Sequence, residues 1–192
     1  SWSLQVVSPP VDAAAIVRSA FGRVVAQMSQ WEPASDLSRF NRAPAGEWHC
    51  VPAELAHVVS AALAIAETSG GAFDPCLGEL TERWGFGGAG PVAAIPADVA
   101  ATGRTIGFDA GGLRLRRSEG ASLDLSGIAK GYGVDLAAEW LLGNGARHFL
   151  LEVGGELRGE GIRPDGQPWW VDTEIPPTSS VQPWRIALHD MS

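Results

Sequence analysis

Hydrophobic residues recur along the chain in two rhythms, and their order predicts an α+β fold with a mostly antiparallel sheet flanked by helices. Residues 2 to 7 read as a strand. The stretch "VDAAAIVRSAFGRVVAQMS" then places Ile16, Ala20, Phe21, Val24, Val25 and Met28 at helical spacing on one face. A polar loop, "QWEPASDLSRFNRAP", follows, with Pro33 and Pro44 as breakers and Ser35 or Asp36 able to cap a short helix. "PAELAHVVSAALAIAETSGG" predicts a second long helix, opened by Pro52 and ended by Gly70 and Gly71 in the left-handed conformation. Short helices are expected within "AFDPCLGELTERWGFG" and over "IPADVAATG".

The second half of the chain turns to strands. "LRLRR" (113 to 117) and "SLDLS" (121 to 125) alternate across the tight turn "SEGA", a hairpin pattern. A helix carrying Ile128, Tyr132, Leu136 and Trp140 is expected next, ending at "GNG". "HFLLEVGGELRGEG" reads as strand, turn and strand, and "PWWVDTE" and "PWRIALHD" as two more strands around a proline-rich loop. With no internal repeat or linker, residues 1 to 192 are expected to form a single domain. The last ten residues close on an apolar strand without a polar taper, so the chain reads as truncated at its C-terminus.

Composition narrows the function classes. A net charge of −8 and scattered basic residues lack the electropositive footprint that nucleic acid requires. No apolar run is long enough for a transmembrane segment, and the N-terminus has no signal-peptide pattern. Cys50 and Cys76 are compatible with one disulfide or two free thiols, and are taken as unpaired. Histidines 49, 57, 148 and 189 have no metal-ligand spacing, and no Gly-x-Ser-x-Gly elbow offers a nucleophile.

The candidate chemistry lies beside glycines. Lys130, the only lysine among 14 basic residues, stands between Gly127 and Gly131 where an apolar helical pattern begins, a place suited to a phosphate. A glycine-rich strand-to-helix connection also explains it, and neither the Walker loop nor the dinucleotide fingerprint is present. Asp74, Asp124, Glu152 and Glu156 are oxygen donors of the type that Mg²⁺ prefers. Asp74 equally suits an Asx turn before Pro75, and Asp124 a helix cap. Trp31, in a polar loop, offers a stacking surface for a planar ring or an anchor for the loop itself.

Four segments taken together resemble the ApbE-like FAD:protein FMN transferase family. They are "MSQWEPASDLSRFN" (28 to 41), "GGAFDPCLGELTERWGFG" (70 to 87), "LDLSGIAKGYGVDLAAEWL" (123 to 141) and "LLEVGGELRGEG" (150 to 161), the last followed by "PWRIAL". The resemblance implies a T-fold-like flavin transferase scaffold that binds FAD with Mg²⁺. It implies cleavage of the pyrophosphate, transfer of FMN to a threonine of an acceptor flavoprotein, and release of AMP. On the matching positions, Trp31 is the aromatic FAD contact, and Ala72, Phe73 and Asp74 form a flavin-nucleotide segment. Asp124 and Lys130 are further ligand contacts, and Gly127 is a Mg²⁺ ligand through its backbone carbonyl. No catalytic residue is assigned. The family continues with His-x-x-Asp-Pro and Asp-Ala-x-x-Thr segments that do not occur here, so a catalytically incomplete flavin-binding or scaffold paralogue is the alternative. Family habit favours the bacterial periplasm or cell envelope, with the cytoplasm also open.

Overall fold

The computed structural model describes residues 1–86, 90, 105–175 and 181–189. The helix expected over 95 to 103 lies outside them. In chain order the elements are β1 (Trp2–Val6), α1 (Ala13–Met28), α2 (Asp36–Arg42), β2 (His49–Cys50), α3 (Ala53–Thr68), α4 (Gly78–Arg83), β3 (Ile106–Asp109), β4 (Arg114–Arg117), α5 (Ala129–Gly143), β5 (Phe149–Val153), β6 (Glu156–Glu160), β7 (Trp169–Asp172) and β8 (Arg185–Leu188). Helices and antiparallel strands are mixed, as the hydrophobic rhythm predicts. The strands are divided among three small sheets ordered β1-β5-β6, β2-β4-β3 and β7-β8. The chain gathers into two compact units, one of Ser1–Phe21 and Lys130–Ser192, the other of Gly22–Ala129.

In the first unit β5 is the central strand, with Leu4 opposite Leu151 on one side and Leu151 opposite Arg158 on the other. Both of its faces are covered: Phe149 and Leu151 are fully buried on one, while Leu150 on the other packs with Trp169 and Leu188 of the β7-β8 ribbon. The ribbon's seat depends on Gly159 of β6, where an added Cβ would stand 2.6 Å from Cβ of Leu188. β5 and β6 are joined by Gly154 and Gly155 alone, at φ 55° and 92°. Two successive positive φ angles match the twist of a two-residue hairpin and are affordable only to residues such as glycine.

In the second unit Ser35 caps α2, its hydroxyl accepting from the Ser38 amide at 3.0 Å. Pro52 directly precedes α3, and the amides of Gly70 and Gly71 close its far end on the carbonyls of Glu67 and Ala66. Both glycines have positive φ, as expected.

Two expectations are corrected. The hairpin partner of β4 is β3, not residues 121 to 125, and the turn spans residues 110 to 113. Ala121, Leu123 and Leu125 do alternate inward, all at 1% exposure or less, but their backbone bonds elsewhere. The Gly78 amide donates to Ser122 O, and the Asp124 amide to Pro75 O, both at 2.9 Å, around a parallel bridge between Leu77 and Ser122. The buried stripe of α1 is also narrower than the expected face: Ala20 and Met28 are buried together with Ala13 and Val17, Ile16, Phe21 and Val24 are half-buried, and Val25 is exposed. Six apolar positions exceed one helical face, and packing selects among them.

Candidate functional site

Three of the four quoted segments interlock within the Gly22–Ala129 unit. After α1, the Ser29 hydroxyl accepts from the amides of Trp31 and Glu32, both at 3.2 Å, while the Ser29 carbonyl accepts from the hydroxyls of Ser35 and Ser38. This knot fixes the loop and leaves the Trp31 indole 56% exposed. Its neighbour Gln30 donates to the Ser126 hydroxyl at 3.3 Å, tying the tryptophan loop to the segment that carries Asp124.

A second tie comes from α2. Asn41 donates to Leu123 O and accepts from Leu123 N, both at 2.8 Å. Its carboxamide thus satisfies both polar groups of a backbone residue whose side chain is fully buried.

The 70-to-87 segment supplies the third wall. The Ser69 hydroxyl accepts from the Phe73 amide at 3.1 Å, bringing exposed Ala72 and half-buried Phe73 round the end of α3. Phe73 lies against Gly127, where an added Cβ would be 3.0 Å from the ring's Cε2. A side chain at 127 would require the ring to give by a few tenths of an ångström, so the close approach here favours glycine by contact rather than by φ.

The two aspartates both fold back on their own backbones. Asp74 accepts from the Cys76 amide at 2.8 Å, the Asx turn considered from sequence. Asp124 accepts from the Ser126 amide at 2.8 Å and from its hydroxyl at 2.5 Å. In each case the bonds engage Oδ1, which orients the carboxylate while holding the turn.

Cys76 is buried beneath this segment, and its thiol is pushed up to about 11 from 9.0, chiefly by burial and then by the Asp74 charge and hydrogen bond. Neither cysteine is in a disulfide, in line with the unpaired reading.

Lys130, in the first turn of α5, belongs to the other unit. Its Nζ donates to Gly154 O at 3.0 Å and pairs with Glu156 at 3.2 Å, both on the β5-β6 hairpin. Glu152, at the same hairpin, accepts from the Gly155 amide and from the Ser3 hydroxyl.

A cavity of about 350 Å³ adjoins the tied segments, with Gln30, Ser38, Asn41, Gly78, Arg117 and Ser122 among its walls. Trp31, Ala72, Phe73, Asp74, Asp124 and Gly127 do not line it. Arg117 already donates to the carbonyls of Ala43 and Ala121. Asn41, Gln30 and Gly78 are the positions that residue-by-residue reading passed over. All three sit inside quoted segments, and their only signal is that they are polar or glycine beside residues with assigned roles. No three His, Cys, Asp or Glu side chains converge as a metal cage among the described residues, and no helix there is long and apolar enough to cross a membrane.

Comparison with known proteins places the chain among relatives of one kind. FAD:protein FMN transferase of Vibrio cholerae is 35% identical over 159 residues, covering 78% of this chain and 47% of its own length. The Haemophilus influenzae protein of the same name is 32% identical over 167 residues, 81% of this chain and 48% of its own length. The chain therefore spans about half the length of these relatives. The solved structure of flavin transferase ApbE from Vibrio cholerae superposes with a TM-score of 0.85 at 29% identity, over 98% of this chain and 65% of that one. The apo flavinyl transferase ApbE of Pseudomonas stutzeri gives 0.78 at 30% identity, over 88% and 60%. A sequence profile of the ApbE family matches residues 1–192, and the chain belongs to that family.

Proposed function

We propose that the protein transfers FMN from FAD to a threonine of an acceptor flavoprotein and releases AMP. The acceptor hydroxyl attacks the FMN phosphorus, the pyrophosphate bond to AMP breaks, and the hydroxyl proton leaves as the new phosphoester forms. The observation that carries this reading is the interlock of three segments, in which Gln30 ties to Ser126, Asn41 to Leu123, and the Phe73 ring lies on Gly127. It accompanies relatives named for this transfer.

In this reading the exposed Trp31 indole and the Phe73 ring offer aromatic surface to a planar ligand. Asp74 and Asp124, oriented through Oδ1 by their turns, accept hydrogen bonds from the nucleotide. The Lys130 ammonium contacts its phosphates. Mg²⁺, when bound, supplies charge neutralisation at the pyrophosphate. The described residues offer no all-protein cage, so the form that fits is a cation held largely by phosphate oxygens and water, with the Gly127 carbonyl as one donor. The cell envelope is the proposed compartment, which fractionation of cells would check.

Incubating the full-length protein with FAD, Mg²⁺ and a threonine-bearing acceptor should give a covalent FMN mass increment on the acceptor. FAD binding without any increment would remove the transfer step and leave a flavin-binding protein.

A further inference from the structure

Lys130 is not a cation waiting in solvent. Its Nζ is held from two directions by one hairpin, by the Gly154 carbonyl at 3.0 Å and the Glu156 carboxylate at 3.2 Å. The hairpin presents these groups by construction. Gly154 and Gly155, at φ 55° and 92°, form the whole connection, and Glu156 is the first residue of β6, paired with Val153. A Cβ built on Gly154 would lie 3.6 Å from Cδ of Lys130, so the lysine stem lies along the turn.

The turn amide of Gly155 is taken by Glu152, which also accepts from Ser3, so the hairpin's own turn is held without the Glu156 carboxylate. Both ends of the ion pair remain about half exposed, at 49% and 47%. An incoming anion can therefore reach the ammonium while the carboxylate is still beside it.

From this geometry we infer that Glu156 is an internal competitor for the Lys130 ammonium, a built-in counter-ion that sets the affinity of the site for phosphate-bearing ligands. The inference rests on the reading of Lys130 as a nucleotide contact. An anion arriving at Lys130 must either displace Glu156 or accept its repulsion, and in both cases the carboxylate weakens binding. The Gly154 carbonyl keeps the ammonium oriented in either state, because a neutral acceptor does not repel a phosphate. The size of the effect is bounded by the small net value of an exposed ion pair, which corresponds to about two- to fivefold in affinity.

The test uses this chain with four sequences: parent, Glu156→Gln, Lys130→Ala and the double variant. FAD and, separately, inorganic pyrophosphate are titrated by calorimetry. Glu156→Gln should tighten both about two- to fivefold when Lys130 is present and change them less than that when residue 130 is alanine. An equal gain in both backgrounds would mean that Glu156 acts as diffuse negative charge, and no gain or a loss with Lys130 present would mean that it does not compete; either result overturns the inference. A second readout needs no ligand. As the only lysine, Lys130 gives the single set of lysine ε-methylene NMR signals, which should be those of a restrained side chain in the parent and move toward free-lysine values in Glu156→Gln. Free-lysine signals in the parent would overturn the tether, and with it the inference, whatever FAD does. A restrained lysine whose alanine variant binds FAD as the parent does would instead overturn the nucleotide reading beneath it.

Discussion

At Gly78 there is no room for a methyl group. A Cβ there would come within 2.6 Å of the Ser122 hydroxyl and 2.7 Å of the Leu123 carbonyl oxygen, and the latter is backbone that cannot rotate aside. Gly78→Ala should cost about 1 to 3 kcal/mol, as overpacking does. At roughly 2 to 4 °C per kcal/mol for a chain of this size, a melting curve resolves the loss. Gly22→Ala is the control, since its Cβ meets nothing within 4 Å on an exposed helical position; it should stabilise by about 0.5 to 1 kcal/mol. Cys76 makes a second residue-level prediction. Burial and Asp74 raise its thiol to about 11 in the folded chain against 9.0 unfolded, so the fold favours the protonated form. That contribution is complete below about pH 9 and is lost as pH rises toward 11, because the unfolded chain releases the proton first. Brief alkylation near neutral pH, read by peptide mass, should label exposed Cys50 and spare Cys76.

Helices and tight turns were legible in the sequence because their signals are local. Ser35 capping α2, the paired glycines after α3 and the Gly154-Gly155 turn each act within a few residues of themselves. The strand at 113 to 117 was legible too, but its partner was not. Alternation reports which side chains point inward, and Leu123 and Leu125 do so; it carries no information on which backbone will accept their hydrogen bonds. Here the partners are residues 75 to 78 and a side chain 82 positions away, Asn41, so the segment is held as an extended strap rather than a hairpin strand. The site was legible in part for the same reason. The segments carrying Trp31, Phe73, Asp124 and Gly127 stand out as quoted stretches, whereas the ties that assemble them depend on tertiary contact. Asn41→Ala should leave the Leu123 N–H and C=O without partners and cost about 2 to 4 kcal/mol, from the usual penalty for each orphaned buried group. Urea unfolding would measure it. If binding is as proposed, FAD affinity should fall with it, while a stable Asn41→Ala protein would show that water replaces the carboxamide.

Over the whole molecule the net charge of −8 acts at a distance where no single contact does. A dinucleotide carrying negative phosphates approaches against this field, and salt shortens the reach of the repulsion to about 10 Å at 0.1 M. FAD association, followed by stopped-flow fluorescence, should therefore quicken between low and physiological salt, although salt also weakens the short-range attraction to Lys130. A rate that falls steadily with salt would place the local cation above the global field. The same scarcity of lysine reaches beyond binding. Reagents that capture proteins by amines, from biosensor esters to aldehyde fixatives, find beside the terminal amine one side-chain target, Lys130, half exposed in the first turn of α5. A chain fastened through that lysine is attached by the group proposed to meet the nucleotide, and its apparent inability to bind FAD would be a property of the attachment.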